Sequence, residues 1–150
     1  MILSLFTFIG WLVIIVFFLI PKSLTTEENI IQFFIINITI ITIYTLLTKN
    51  LKLLESNKNI ASFMALCIHR SIIIPLCLLT LMNLLILYDT RLKKITASIA
   101  TILISTFIEL LTLWTGVKNY TGWNSFMTVT TLIVLVFLFY VLTKLIRRIS

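Results

Sequence analysis

The sequence predicts an all-α integral membrane helical bundle with five transmembrane helices, and three observations carry that reading. Of its 150 residues, 60% are hydrophobic and only 11% charged, a balance that a soluble domain of this length could not bury. The apolar residues fall in continuous runs of about 18 or more, not in alternation, which selects helices over a β-barrel. The twelve Lys and Arg gather at the ends of those runs, where cations orient helices and meet lipid headgroups. One transmembrane domain, 1–150, accounts for the whole chain, with no soluble domain.

The first helix is expected at about Ile2–Ile20, closed by Pro21-Lys22. It lacks a basic start and a small-residue cleavage site, so it reads as a retained helix, not a cleaved signal. The second, Ile30–Thr48, follows Thr25-Thr26-Glu27-Glu28. Thr25 or Thr26 can cap it, and the two acids suit the positive end of the helix dipole. The third is Ser71–Tyr88, with an extension back to Ile60 left open. The fourth is Ile95–Thr115, and the fifth is Phe126–Leu145, ending among Lys144, Arg147 and Arg148. The longest polar stretch, Lys49–Asn59, reads as a loop.

Five full spans with an outside N-terminus put Lys22, Arg91, Lys93, Lys94, Lys144, Arg147 and Arg148 inside. Lys49, Lys52, Lys58, Arg70 and Lys118 are then outside, seven against five. Letting the third segment dip in without crossing raises the score to ten against two, but Ser71–Tyr88 is long enough to span, and five crossings are expected. Both arrangements leave the C-terminus cytoplasmic.

Glu109 is the most informative residue. It lies in the otherwise uncharged stretch Ile95–Gly116, and a carboxylate in hydrocarbon costs at least a few kcal/mol unless a partner or wet cavity answers it. At 100° per residue, Ser98, Thr101, Ser105, Glu109, Thr112 and Gly116 fall within roughly 80° of arc, so this helix has one protein-facing side. The short link Tyr88–Lys94 predicts an antiparallel hairpin of the third and fourth helices. That hairpin would set Glu109 opposite Pro75, Thr101 opposite Asn83, and Ser105 near Thr80. His69, Thr80 and Asn83 share one side of the third helix within about 60°, and Arg70 lies one turn beyond Pro75. The expectation is a polar cluster of Glu109, Arg70, His69, Ser105, Thr101, Asn83 and Thr80, with Glu109 paired to Arg70 or His69. The plainer alternative is that the hydroxyls and Asn83 are packing residues and that Arg70 and His69 are interface anchors.

Pro75 is expected to kink its helix and free a carbonyl. Gln32, Thr39 and Thr42 form a weaker stripe on the second helix, with Asn37 pointing elsewhere. Trp114, Tyr120 and Trp123 read as interfacial aromatics, whereas Trp11 sits near mid-span. Cys67 and Cys77 lie about 15 Å apart along one helix, too far to bridge. No Cys or His spacing suggests a metal, and no cofactor is expected. A nucleic-acid surface is excluded because no basic run interleaves with aromatics in a soluble segment.

From Glu109 onward the chain reads Glu109, five residues, Thr115-Gly116, three residues, Tyr120, Thr121, Gly122-Trp123. This resembles a family of small, uncharacterised, five-span membrane proteins of Bacillus and related endospore-forming bacteria. The stretch Phe18-Leu19-Ile20-Pro21-Lys22-Ser23-Leu24-Thr25 is similar too, as is Pro75 followed by Asn83. The chain departs from that pattern at Lys49–Glu55, where family members carry a Tyr-rich segment. The resemblance implies five helices and a bacterial plasma membrane and supplies no activity.

Three functions compete. The leading expectation is a non-enzymatic helix-packing or accessory subunit whose partners are the lipid bilayer and either another membrane protein or a second copy. The alternative is a small transporter or proton-coupled carrier using Glu109 in a polar intramembrane cavity. An intramembrane enzyme is poorly provided for. The chain has one His, no His-Glu-x-x-His motif and no second intramembrane acid to form a dyad.

Overall fold

The computed structural model describes residues 1–149. Five helices are long and apolar enough to cross a membrane: α1 (Ile2–Leu19), α2 (Thr26–Asn50), α3 (Ile60–Leu87), α4 (Arg91–Trp114) and α5 (Ser125–Ile149). Two short strands, β1 (Leu54–Ser56) and β2 (Lys118–Tyr120), join them. The all-α, five-helix expectation holds, and the protein is a multi-pass membrane protein. The strands were not expected, and Lys49–Asn59 is not only a loop.

Local chemistry sets the helix starts. Thr25 Oγ1 accepts from the Glu28 amide (3.2 Å) while Glu28 Oε2 accepts from the Thr25 amide (2.9 Å). This capping box starts α2 four residues earlier than the apolar run alone suggests. Asn59 accepts from the Ala61 amide (3.2 Å) and opens α3 at Ile60; Asn124 accepts from the Met127 amide (2.9 Å) ahead of α5.

α3 is the central post. Half of its most apolar stretch is buried, against 11–22% for the other four helices, and it contacts all of them. At 28 residues it is about 42 Å long, ample for a full crossing. The pairing of β1 with β2 removes the dipping arrangement. Leu54, Glu55 and Ser56 lie antiparallel to Tyr120, Asn119 and Lys118. The loops after α2 and after α4 therefore share one face of the membrane, which requires α3 to cross.

Pro75 sits just after a wide π-helical turn, His69–Ile73, within α3. Having no N–H, it cannot donate to the Ser71 carbonyl four residues back. Asn37 of α2 supplies the missing donor, Nδ2 to Ser71 O at 2.9 Å. Asn37 thus points at α3 and not elsewhere. Of the α2 stripe, only Gln32 bridges helices, donating to Thr143 Oγ1 of α5 (2.6 Å); Thr39 and Thr42 donate to carbonyls of their own helix.

The core has two apolar parts. Ile36, Ile40, Leu78, Met82 and Phe139 pack between α2, α3 and α5. Phe6, Ala65, Ile73 and Ile108 pack between α1, α3 and α4, joined by Val117. Gly10 lets α1 lie close on α3; a Cβ there would stand 3.4 Å from Ile68. Trp11 faces outward.

Candidate functional site

Glu109 lies on α4 about 8 Å before the helix ends at Trp114, and the chain beyond it folds back to meet it. The Gly116 amide donates to Leu113 O and the Val117 amide to Thr112 O (3.0 and 2.9 Å). This is a Schellman ending with Gly116 at φ +72°. The reversal buries Val117 and leads into β2, whose alternation turns Lys118 and Tyr120 inward and leaves Asn119 exposed. β1 holds that ribbon down, and the Thr121 and Gly122 amides extend it by donating to Leu53 O (3.0 and 3.3 Å). Leu53 presses so closely that a Cβ at Gly122 would come within 2.5 Å of its Cδ2.

The result is a closed polar cluster. Lys118 Nζ makes an ion pair with Glu109 Oε1, and Tyr120 OH donates to the same oxygen at 3.2 Å. Tyr44 OH of α2 donates to Oε2 (2.9 Å) and accepts from Lys118 Nζ (3.1 Å). Trp123 Nε1 donates to Thr128 Oγ1 at 2.8 Å, and Thr128 bonds Tyr120 OH at 3.1 Å. Because the Tyr120 proton is directed at Glu109, the Thr128 hydroxyl is the donor in that last bond. Glu109 is 6% exposed and Lys118 1%. Burial pulls the Lys118 ammonium below the ordinary lysine range, with the Glu109 carboxylate opposing it. Burial first, and the Glu109 charge second, push the Tyr120 phenol upward, so it stays a donor.

His69 meets Glu109 as expected, with Nε2 3.5 Å from Oε2. The atoms approach without a hydrogen bond, since neither ring nitrogen makes one. The rings of Phe6 and Tyr44 stand edge-on to it, both with centroids 6.3 Å away. Ser105 lines a cavity of about 50 Å³ beside Glu109, together with Tyr44, Trp123 and Thr128. Its buried Oγ has no hydrogen-bond partner.

The other expected members lie elsewhere. Arg70 does not pair with Glu109; its Nη2 approaches Cys67 Sγ at 3.7 Å. One step along a helix is about 100° of rotation, so His69 and Arg70 cannot face the same carboxylate. Asn83 does not face Thr101. It accepts from the Leu24 amide (3.2 Å), donates to Asn29 Oδ1 (2.8 Å), and its carbonyl accepts from Ser23 Oγ (2.6 Å), tying the α1–α2 link to α3 at the opposite membrane face. Thr80 and Thr101 are also apart from Glu109, on a groove between α1 and α4. The shift arises because α4 starts at Arg91 and the hairpin turn is shorter than the expected link.

Sequence reasoning missed Lys118, taken as a surface cation, Tyr120, taken as an interfacial aromatic, and Tyr44. The available signal was Gly116, a helix-ending residue close before Lys118 in a chain whose nearest buried acid needed a cation. Among the described residues, no three His, Cys, Asp or Glu side chains are grouped to hold a metal. Comparison with protein-family models, with curated proteins and with solved structures finds no match.

Proposed function

We propose that this chain is a non-enzymatic accessory subunit of a bacterial plasma membrane, acting by packing its helices against a membrane-protein partner or a second copy. The supporting observation is the groove of about 730 Å³ between α1 and α4, whose lining includes the small residues Cys77, Thr80, Ala97, Ala100 and Thr101. Small residues let a foreign helix approach closely. Thr39, Thr42, Thr45, Thr106, Thr130 and Thr131 all donate to carbonyls of their own helices. Among the described residues, the Thr80 and Thr101 hydroxyls make no hydrogen bond. A hydroxyl facing lipid unbonded is costly, and a partner helix in the groove would supply its acceptor.

Orientation follows the charges. Lys22, Arg91, Lys93, Lys94, Lys144, Arg147 and Arg148 lie on one face. The ribbon face carries only Lys49, Lys52 and Lys58 exposed, because Lys118 is buried and Arg70 lies half-buried ten residues inside α3. That bias favours a cytoplasmic C-terminus.

The test is a photo-crosslinking residue at Ala97 in cells. A discrete protein adduct, lost when Ala100→Leu fills the groove, supports the reading. Only monomer and lipid adducts, with a single monomer-mass species in mild detergent, would remove it.

A second reading, a proton-coupled carrier, draws on the unbonded His69 nitrogens and Ser105 hydroxyl beside Glu109. The full engagement of both Glu109 oxygens and the small cavity favour the first. Liposome flux unaffected by Glu109→Gln discards the carrier.

A further inference from the structure

On the face opposite the ribbon, a crevice between α4 and α5 joins two recesses that share Leu85, Lys94, Phe137 and Tyr140. The outer recess, about 740 Å³, is ringed by Lys94, Lys144, Arg147 and Arg148, and among the described residues no Asp or Glu lines it. Two of these cations lie near the Tyr140 ring, with Lys144 Nζ 4.7 Å and Lys94 Nζ 5.9 Å from its centroid. The inner recess, about 350 Å³, is apolar apart from Ser98 and the Lys94 and Tyr140 it shares with the outer one, and is walled by Ile99, Ile102, Ile133 and Phe137.

The two recesses lie along the membrane normal. Lys94 is in the first turn of α4 and Lys144 and Arg148 are near the end of α5, at headgroup level. Ile102 is about 12 Å deeper along α4, close to the roughly 15 Å half-thickness of the hydrocarbon. A cationic mouth over an apolar slot of that depth complements a ligand with an anionic head and an acyl tail. Two other recesses open on this face, but each has a single cation: Lys22 beside Phe17, Phe33 and Leu76, and Lys93 at the groove between α1 and α4.

We propose that the α4–α5 crevice is a binding site for one anionic phospholipid, its phosphate held by Lys94, Lys144 and Arg148 beside Tyr140 and one acyl chain lying along Ser98, Ile102 and Phe137. The site is independent of what fills the α1–α4 groove. The tyrosine, carrying cations near its ring, orients them toward the phosphate. The inner slot makes the site lipid-selective, since a free phosphate gains nothing from it.

The test is native mass spectrometry of the delipidated full chain, titrated with phosphatidylglycerol, phosphatidylcholine or inorganic phosphate. The expected result is one phosphatidylglycerol bound in preference to phosphatidylcholine. Lys94→Gln with Lys144→Gln should reduce that preference by about thirtyfold, while Lys22→Gln with Arg91→Gln, on the same face outside the crevice, leaves it intact. Ser98→Phe, which blocks the slot, should weaken both lipids. Equal binding of the two lipids by the wild type overturns the site. So does an equal loss in both double variants, which would reduce the effect to surface charge. Displacement of the lipid by millimolar phosphate would replace it with a simple anion site.

Discussion

Removing the cation from the Glu109 cluster is the sharpest perturbation the structure offers. In Lys118→Met, Glu109 remains buried but keeps two donors, Tyr44 OH at 2.9 Å and Tyr120 OH at 3.2 Å. The cost should therefore fall at the low end of a broken buried pair, about 3 kcal/mol. In Glu109→Leu, the Lys118 ammonium stays buried with one hydroxyl acceptor, Tyr44, and both tyrosines lose theirs, which also costs about 3 kcal/mol or more. The double variant contains neither buried charge and loses only hydroxyl hydrogen bonds. It should be no worse than either single, again about 3 kcal/mol, leaving a coupling of about 3 kcal/mol. Reversible unfolding by sodium dodecyl sulfate in mixed micelles measures these free energies. Trp123, bonded into the cluster through Thr128, provides the fluorescence signal. Additive single effects, within about 0.5 kcal/mol, would refute the ion pair as the element that seals this end of the bundle.

Three further outcomes follow from named contacts. Asn37→Leu leaves the Ser71 carbonyl opposite Pro75 without a donor and should destabilise by about 1–3 kcal/mol in the same assay, whereas Thr42→Val, whose hydroxyl serves only its own helix, should change little. Gly116→Ala forces a side chain into φ +72°, costing about 1 kcal/mol; Gly116→Asn, better tolerated there, should cost less. Finally, Glu55 and Asn119 face each other in the ribbon, and the bonds at Leu53–Thr121 and Asn57–Val117 make theirs a hydrogen-bonded pair with Cα atoms about 5.5 Å apart, within disulfide reach. Glu55→Cys with Asn119→Cys, in a background without Cys67 and Cys77, should oxidise to a fast-migrating monomer on gels, and failure to do so would contradict the shared membrane face.

The helices were legible because hydrocarbon imposes a single rule on every residue within it: long apolar runs, with the polar stripe of α4 turned inward. Ser105, Glu109 and Thr112 are buried as that stripe requires. The starts at Thr26 and Ile60 were less legible, since capping side chains recruit polar residues that hydropathy assigns to loops. Within the cluster, His69 could be found from helical phase. Lys118 and Tyr120 could not, because they reach Glu109 through a chain reversal and a period-two strand, not through a helix face. Asn83 and Thr101 show a different failure: a hairpin turn a few residues shorter than assumed moves every cross-helix partner along its neighbour. Arg70 lies near the expected depth, but its angular position on α3 turns it toward Cys67 and away from Glu109.

The ribbon also bears on how the chain is made. Its strands are separated by about sixty intervening residues, and the basic member of the ion pair is synthesised after the acidic one. A nascent chain that has threaded α1 to α4 holds Glu109 without its counterion until residues beyond Gly116 emerge and turn back. Completion therefore waits on a late, long-range closure at one face of the bilayer, and a product truncated before Lys118 retains an uncompensated acid by which it differs from the finished molecule.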